Sequence, residues 1–457
     1  MDNIQIRKKD TTFVLLITAI LIGSCIFFSV TLFWGFLASI LITSLLLVRR
    51  GLKPSSLKNM ILQGVMECRN LYLLILLIGA TVSIWLSSGV VPTMIYYGLE
   101  YMEGMNFLLA AFIITSLMAI FMGTAVGTIS TIGLALLGIG KGFGVPEHVL
   151  LGAVISGAFI ADKISPISGL LNLTLSVTKT KYRDVFKRMT ATLVPVYLIT
   201  TAIYYYLGKG YIASGNSGSL GEYQTAILKG FFVSPWLLIL PIAIVALPIR
   251  GMKTISTISI GLLGGIIASI SLQKMSVIAV LDAVFFGYKG TTASSQLNRI
   301  LISGGVISML EVVLIVAGAI CLSSILEESG LIKPFIRKSI ANIKSQKELV
   351  MKTGVISSLL TVVTCDQTVG ILLPGRVFKE KYEEMKLSPT ILARTISDTG
   401  TIIAPLMPWN VNALIIGMIS GVSAVNYGPY AVLCYICPVV SFLSCYSYKK
   451  RSLTGDD

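Results

Sequence analysis

The apolar residues of this chain come in long blocks rather than in amphipathic stripes. Residues 71–91 and 189–207 are near-continuous apolar runs that are long enough to cross the hydrocarbon of a bilayer, and residues 432–443 form a shorter run. Because backbone polar groups in lipid must be satisfied within the segment itself, these runs predict helices rather than open strands. The pattern therefore predicts an all-α, polytopic membrane protein.

The composition supports this prediction. Of the 457 residues, 54% are hydrophobic and only 12% are charged, whereas a soluble protein of this size needs far more charge to cover its surface. The formal net charge of +15 comes from basic residues that lie mostly in short connectors between apolar segments. This positive-inside pattern is typical of a bacterial-type cytoplasmic (inner) membrane protein. We therefore expect the lipid bilayer as a partner, exclude a soluble enzyme and expect no nucleic acid.

The basic connectors set a predicted topology of about 10–12 spans. Both termini are expected in the cytoplasm, because Arg7, Lys8 and Lys9 precede the first span and Lys449, Lys450 and Arg451 follow the last. The predicted segments are residues 12–32, 33–48, 71–91, 106–139, 149–175, 189–207, 226–249, 252–273, 301–323, 350–375, 391–417 and 428–446.

Two of these segments cannot cross the membrane only once. Residues 106–139 must begin and end outside, and residues 350–375 must begin and end inside, if the strongly basic connectors are to stay cytoplasmic. Each is predicted to be two-legged or re-entrant, with breaks near residues 123–128 and 364–367. Paired breaks in opposite halves are typical of inverted-repeat transporters, whose sites lie near the membrane midplane. We therefore predict one integrated membrane domain: an N-terminal repeat over residues 1–207, an external Gly/Ser loop over 208–225 and a C-terminal repeat over 226–457.

Four acidic residues, Asp162, Glu311, Asp366 and Asp398, lie at the predicted depth of the membrane. An ionised carboxylate there is costly, so such a residue usually faces a cavity and serves a cation or a proton. Two of the four have a structural alternative. Asp162 is adjacent to Lys163, and Asp398 follows Arg394 by one helical turn, so either could belong to a buried ion pair.

The remaining candidate chemistry has a structural interpretation. Cys434 and Cys437 form a CxxC pattern inside a predicted span with no second ligand pair, which favours small core residues over a zinc site. The single histidine, His148, lies at a connector beside Pro146 and Glu147 and is expected at the surface.

Three segments resemble motifs of a known family. Gly157-Ala158-Phe159 through Asp162-Lys163-Ile164-Ser165-Pro166 is similar to a GA-x-x-GDK-x-SP stretch, with Ala161 in place of the glycine. Thr364-Cys365-Asp366-Gln367 followed by Leu373-Pro374-Gly375-Arg376 looks like a TCDQ…LPGR signature. Asp398-Thr399-Gly400-Thr401 through Pro408-Trp409-Asn410 is similar to an ED-x-GT…PWN motif. On these motifs the chain resembles the NhaC-type sodium/proton antiporter family, within the broader ion transporter group, as a divergent member.

The resemblance implies a fold, a transport class and a set of site residues. The predicted cation- and proton-binding residues are the carboxylates of Asp162, Asp366 and Asp398, with Ser165, Thr364, Thr399, Thr401 and Asn410 as neutral ligands. Candidates for substrate contact or coupling are Lys163, Arg394, Glu311, Gln367, Gly169 and Asn412.

The sequence also departs from the family pattern. Gly169 and Leu170 stand where the pattern has a carboxylate and a hydroxyl, Ser397 precedes Asp398 where an acidic pair is usual, and Asn412 stands where a small cysteine is common. Relatives of the family include transporters of malate, lactate and amino acids. A roomier, less anionic cavity would admit an organic substrate.

The sequence therefore predicts a secondary active transporter, with a sodium/proton antiporter working by alternating access as the leading function. The alternative is a sodium- or proton-coupled transporter of an amino acid or small carboxylate, with Arg394 pairing with the substrate. Paired breaks in opposite halves argue against a channel, and the chain has neither HExxH nor GxSxG to suggest an intramembrane enzyme. We expect no resident cofactor and no metal beyond the transported sodium, with Na+ and H+ as coupling ions. A homodimer is left open.

Overall fold

The computed structural model describes residues 8–28, 30–102, 104–211, 217–250, 252–332, 340 and 343–444. All regular structure within these ranges is helical, apart from one isolated bridge between Lys289 and Ile302. Arg7, residues 333–339 of the predicted basic connector, and the C-terminal Lys449, Lys450 and Arg451 lie outside the described residues.

The helices follow one another in two series. The first comprises α1 (Lys8–Phe27), α2 (Leu32–Arg49), α3 (Pro54–Glu67), α4 (Arg69–Ser87), α5 (Val90–Tyr101), α6 (Phe107–Met122), α7 (Ala125–Gly142), α8 (Glu147–Ala158), α9 (Ile160–Ile164), α10 (Gly169–Thr178) and α11 (Tyr182–Gly208). The second comprises α12 (Ser217–Gly230), α13 (Ile239–Ile249), α14 (Thr254–Ser271), α15 (Val277–Phe286), α16 (Ser295–Ile300), α17 (Gly305–Glu328), α18 (Gln346–Thr364), α19 (Gln367–Glu384), α20 (Pro389–Ile396), α21 (Val411–Ser420), α22 (Ala424–Tyr427) and α23 (Val432–Ser444).

Many of these helices are suited to a bilayer. Within the described ranges, seven helices are long and apolar enough to cross a membrane, and three bent pairs bring the number to as many as ten. Large apolar side chains are exposed along the outer helices, among them Leu16 in α1 and Leu41 in α2. The predicted all-α polytopic membrane fold is confirmed.

Both predicted hairpin breaks are present, and they share one local geometry. Helix α6 ends at Gly123, whose φ of 68° is left-handed, and the extended Thr124 then starts α7. Helix α18 ends in the same way at Cys365, with φ 62°, and the extended Asp366 starts α19. A left-handed residue ends a helix, so each segment is divided into two helices at the predicted break; the two-legged or re-entrant topology stays a prediction.

The structure also differs from the predicted spans. Residues 226–249 were expected as one span, but α12 and the helical turn before α13 are bent by 93° at a break that precedes Pro235. Proline cannot continue the hydrogen-bond ladder of a helix, which accounts for this break. The Ser217–Gly230 helix also takes over part of the predicted Gly/Ser loop, whose residues 212–216 lie outside the described residues. The helices α3, α5, α15, α16 and α22 lie outside the segments that the apolar runs predict.

The two series interlock through reciprocal contacts. Helix α17 packs against α2, α3 and α4, while α4 packs against α14 and α15. Nearer the breaks, α10 packs against α19, and α21 packs against α7. The helix that follows each break therefore contacts the last helix of the broken segment in the other half: α19 contacts α10, and α7 contacts α21. Reciprocity of this kind is what a two-fold relation between the halves requires; the inverted relation and the domain limits stay predictions.

Candidate functional site

An ion pair between the two halves lies at the centre of the fold. The ammonium of Lys163 in α9 contacts the Oδ1 atom of Asp398, and both side chains have no exposed surface. A buried pair of this kind is stable only because each charge compensates the other.

Local sequence positions both members of the pair. On the first side, a Cβ atom at Gly157 would lie 2.7 Å from the Phe112 carbonyl oxygen, so glycine allows α8 to approach α6 closely. The short helix α9 then ends before Pro166, which has no amide hydrogen to continue it. On the second side, α20 continues as a π-helical turn over Ser397–Thr401 that carries Asp398. Such turns insert an extra residue and occur frequently at functional sites.

Two further side chains belong to this cluster. The Nε atom of Arg394 lies 3.6 Å from Oδ2 of Asp398 and is also buried, so the predicted Arg394–Asp398 ion pair is present. The ammonium of Lys163 donates to the Sγ atom of Cys437 at 3.3 Å. Asp162, the sequence neighbour of Lys163, takes no part in this ion pair. No sequence pattern distinguishes Cys437 as a site residue, because its CxxC spacing is also that of ordinary core residues.

Asp162 belongs to the break between α6 and α7. Its carboxylate accepts a hydrogen bond from Ser168 Oγ at 3.3 Å and another from the backbone amide of Ala125, the first residue of α7. Free amide hydrogens at a helix N-terminus favour a negative charge. Asp162 therefore ties the end of α9 to the first turn of α7.

Asp366 occupies the matching position in the other half. It is the residue that precedes α19, and its half-buried carboxylate lies against the amides of Gln367 and Thr368 and the Thr368 hydroxyl. Each hairpin break thus has a carboxylate at the start of its second leg. In the first half the carboxylate belongs to Asp162 of the later helix α9, and in the second half it belongs to Asp366 in the break itself.

A chain of amide side chains connects the second break to the π-helical turn. Gln367 donates to the carbonyl oxygen of Thr401 at 2.5 Å and accepts from the Nδ2 atom of Asn412 at 2.8 Å. Asn412 also donates to Asn410 Oδ1 at 3.2 Å, and Asn410 caps α21 by accepting from the Asn412 backbone amide. Gln367 and Asn412 therefore join the α18–α19 break to the turn that carries Asp398.

Sequence comparisons with known proteins bear on the family of this chain. A family model described as the Na+/H+ antiporter family matches residues 170–447. The chain is 30% identical over 395 residues to the Na(+)/H(+) antiporter NhaC of Bacillus subtilis, covering 86% of this chain and 87% of that protein. The chain belongs to the Na+/H+ antiporter family. The resemblance that rests on the three motifs is therefore confirmed.

Two further relatives of this chain are antiporters of other solutes. The chain is 28% identical over 432 residues to the malate-2H(+)/Na(+)-lactate antiporter of Bacillus subtilis, covering 94% of this chain and 92% of that protein. It is 27% identical over 387 residues to the arginine/ornithine antiporter ArcD of Halobacterium salinarum, covering 84% and 79%. The named relatives are all antiporters, but they exchange different solutes.

The predicted neutral ligands lie in the same region as the breaks, and several of them already donate their hydroxyl hydrogen to a backbone carbonyl. Ser165 donates to the Ile120 carbonyl at 2.6 Å, Thr364 to Leu360 at 2.8 Å and Thr399 to Thr395 at 2.6 Å. Each hydroxyl oxygen keeps lone pairs that can accept or coordinate. Among the described residues, the buried hydroxyls of Ser397 and Thr401 and the Nδ2 atom of Asn410 have no hydrogen-bond partner.

Two predicted residues lie apart from the ion pair. Glu311 is on an exposed face of α17 beside the exposed Ile307, Leu310 and Leu314, so it does not line an interior cavity with the other acids. Gly169 is exposed at the start of α10, with open space where a side chain would be. The hydrogen bonds and ion pairs found in the described residues hold Asp162, Asp366 and Asp398 in three neighbouring polar clusters. A shared cation cavity for all three stays a prediction.

Proposed function

We propose that this protein is a sodium/proton antiporter that works by alternating access, with the exchange centred on Asp398. The observation that carries the proposal is the buried ion pair between Lys163 and Asp398. Membership of the Na+/H+ antiporter family supports the transport class.

Lys163 acts as a built-in competitor of sodium for one carboxylate. Asp398 has no exposed surface, so its charge must always be matched by a nearby cation. A sodium ion that reaches Asp398 displaces the Lys163 ammonium. A buried ammonium that has lost its counter-ion is unfavourable, so sodium binding favours release of the Lys163 proton. When sodium leaves, a proton returns and the ion pair forms again, which gives exchange without direct contact between the two ions.

The other predicted residues support this centre in different ways. Sodium is a hard cation that prefers oxygen ligands, and the Thr401 and Ser397 hydroxyls are buried in the same π-helical turn as Asp398. Asp162 and Asp366 stabilise the two hairpin breaks, whose amide hydrogens they face. Asn410, Asn412 and Gln367 transmit movement of the second break to the turn. The basic connectors support insertion in a bacterial-type cytoplasmic membrane with both termini inside.

The test uses purified protein in liposomes that contain a pH-sensitive dye. An imposed sodium gradient is expected to change the internal pH with wild-type protein and not with Asp398→Asn or Lys163→Gln. Glu311→Gln is the control, because Glu311 lies on an exposed face away from the pair. A folded wild-type protein that produces no sodium-dependent pH change would contradict the proposal, as would full activity in Asp398→Asn.

The second candidate is coupled exchange of a small organic acid or amino acid. Arg394, which lies 3.6 Å from Asp398, could pair with a substrate carboxylate, and one relative over 94% of this chain is a malate/lactate antiporter. The same liposomes distinguish the two functions when malate, lactate and arginine are offered. Two results together would favour this second candidate: uptake of a labelled acid that depends on Arg394, and no sodium-dependent pH change when no organic acid is offered.

A further inference from the structure

Cys437 contacts the central lysine. It lies in α23, immediately before Pro438, with its side chain fully buried and its sulfur 3.3 Å from the Lys163 ammonium. Cys434, one turn earlier in the same helix, is equally buried but makes no recorded hydrogen bond to Lys163 within the part of the chain that the structure describes. The two cysteines of the CxxC pattern therefore have different surroundings.

The charges around Lys163 explain why a neutral third partner matters. An ammonium has three hydrogens to donate, and the groups near it are the Asp398 carboxylate, the Cys437 sulfur and the like-charged Arg394 guanidinium. The Tyr182 hydroxyl also faces α9, but it donates to the Ile164 carbonyl at 2.8 Å. Arg394 shares Asp398 and repels Lys163. The sulfur attracts the ammonium without adding charge to the cluster.

The geometry points to Cys437 as a positioning residue that holds Lys163 on Asp398 and so sets how strongly sodium must compete for that carboxylate. This inference rests on the proposed exchange at Asp398. A thiol sulfur is a weak hydrogen-bond acceptor. The hydrogen bond to sulfur therefore stabilises the Lys163–Asp398 pair enough for Lys163 to displace bound sodium. It remains weak enough for sodium to displace Lys163 in turn.

The direction of the effect follows from this competition. Removing the sulfur weakens the built-in competitor, so sodium binds Asp398 more easily and the KM for sodium falls. Return of Lys163 is then less favourable, so sodium leaves more slowly and the maximal rate falls too. Because the thiol sulfur is a weak acceptor, we expect the loss to match that of an ordinary hydrogen bond, which corresponds to a change of about three- to tenfold in KM.

The experiment measures sodium-dependent pH change in liposomes over a range of sodium concentrations, with four variants. Cys437→Ala removes the acceptor, and Cys437→Val removes it while filling most of the volume, in case alanine leaves a cavity. Both are expected to lower KM and maximal rate together. Cys437→Ser keeps an acceptor and is expected to restore KM toward the wild-type value. Cys434→Ala is the matched control, and its KM is expected to stay unchanged.

Each alternative has its own outcome. A cysteine that only fills the core would change the amount or melting temperature of the protein, with the same KM in Cys437→Ala and Cys437→Val as in wild type. An equal shift of KM in Cys434→Ala would likewise overturn the inference. If the wild type exchanges the ions and the Cys437 variants keep its KM, the inference about Cys437 fails but the proposed function stands. If the wild type shows no exchange, both the inference and the proposed function fail.

Discussion

Lys163 and Asp398 lie 235 positions apart in the chain, and their side chains form an ion pair with no exposed surface. One comes from the short helix α9 and the other from the π-helical turn after α20, so the contact joins the two halves of the protein. Neither residue can lose its partner without leaving a charge in a dry interior. This makes the pair a structural link between the two halves, and in the proposed exchange it is the point at which the transported cation competes with Lys163.

Removal of either member of the pair is expected to destabilise the protein strongly. Asp398→Asn leaves the buried Lys163 ammonium without its carboxylate, which typically costs about 3–5 kcal/mol. Lys163→Gln leaves Asp398 beside the Arg394 guanidinium at 3.6 Å, so its loss should be smaller. The double variant removes both charges, so its loss of unfolding free energy should be smaller than the sum of the two single losses. Unfolding in detergent, followed by fluorescence or circular dichroism, measures the difference.

The control for this cycle is an exposed ion pair of the same type. Lys352 and Glu348 lie 2.9 Å apart on one turn of α18 at the surface, where such pairs contribute little. Lys352→Gln should leave the stability unchanged within error. Additive losses in the Lys163/Asp398 cycle would show that the two residues are not energetically coupled.

Asp366 is expected to need its side-chain oxygen, which faces the Gln367 and Thr368 amides, more than its charge. Asparagine caps helix N-termini as well as aspartate does, whereas alanine does not. Asp366→Asn should therefore keep the melting temperature and most of the sodium-dependent exchange, and Asp366→Ala should lose about 1 kcal/mol of stability. The same liposome assay and a thermal melt test both statements.

A different result at Asp366 would be equally informative. Full loss of exchange in a folded Asp366→Asn protein would mean that the negative charge itself binds the transported cation or proton. The prediction of a shared cavity with Asp398 would then be favoured over a capping role. Thr368→Val, which removes only the neighbouring hydroxyl, is the matched control for local packing.

The sequence predicts the breaks well and the contacts across halves poorly. The breaks at Gly123 and Cys365 follow from a parity argument on basic connectors, which uses information spread along the whole chain. The Arg394–Asp398 pair follows from one helical turn of spacing. By contrast, Lys163–Asp398 and Lys163–Cys437 join residues more than 200 positions apart, and no local pattern fixes which buried charges meet.

Orientation around a helix is a second limit. Glu311 was grouped with the interior acids because of its depth in an apolar segment, but that segment is apolar on all sides and has no polar face to set its rotation. The structure places Glu311 on the exposed face. Helices α3 and α5 were missed for a related reason: they are short, and charged or proline residues interrupt their apolar pattern.

Two glycines, one buried in the π-helical turn and one exposed, should respond oppositely to alanine. A Cβ atom on Gly400, in the π-helical turn, would lie 2.1 Å from Ser357 Oγ and 2.9 Å from the Ser357 backbone. Gly400→Ala should therefore cost about 1–3 kcal/mol by overpacking. At Gly169 nothing lies within 4 Å of the added atom, so Gly169→Ala should be neutral or stabilising by up to about 1 kcal/mol.

Melting temperatures of the two purified variants measure this contrast. Equal destabilisation by both substitutions would mean that the close approach of the π-helical turn to α18 is not a packing constraint. Gly169→Asp, which restores the carboxylate of the family pattern, should fold as well as Gly169→Ala because the side chain enters open space.

The Tyr204 hydroxyl joins three elements. It lies 2.6 Å from Ser156 Oγ in α8, donates to the Tyr430 carbonyl at 2.7 Å and accepts from the Val432 amide at 3.2 Å. Tyr430 and Val432 flank a 56° bend, which separates the segment Ala424–Tyr430, containing α22, from α23. The hydroxyl thus fixes the angle at which α23 leaves the bend.

Tyr204→Phe removes this link without changing the shape of the ring. The Val432 amide then loses its buried partner, and an unsatisfied buried group costs about 1–3 kcal/mol. We expect a lower melting temperature, and also a lower maximal rate of exchange, because α23 carries Cys437 against Lys163. Tyr205→Phe is the matched control, since its side chain is 46% exposed. An unchanged melting temperature in Tyr204→Phe would show that water or neighbouring groups replace the hydroxyl, and that the bend does not depend on it.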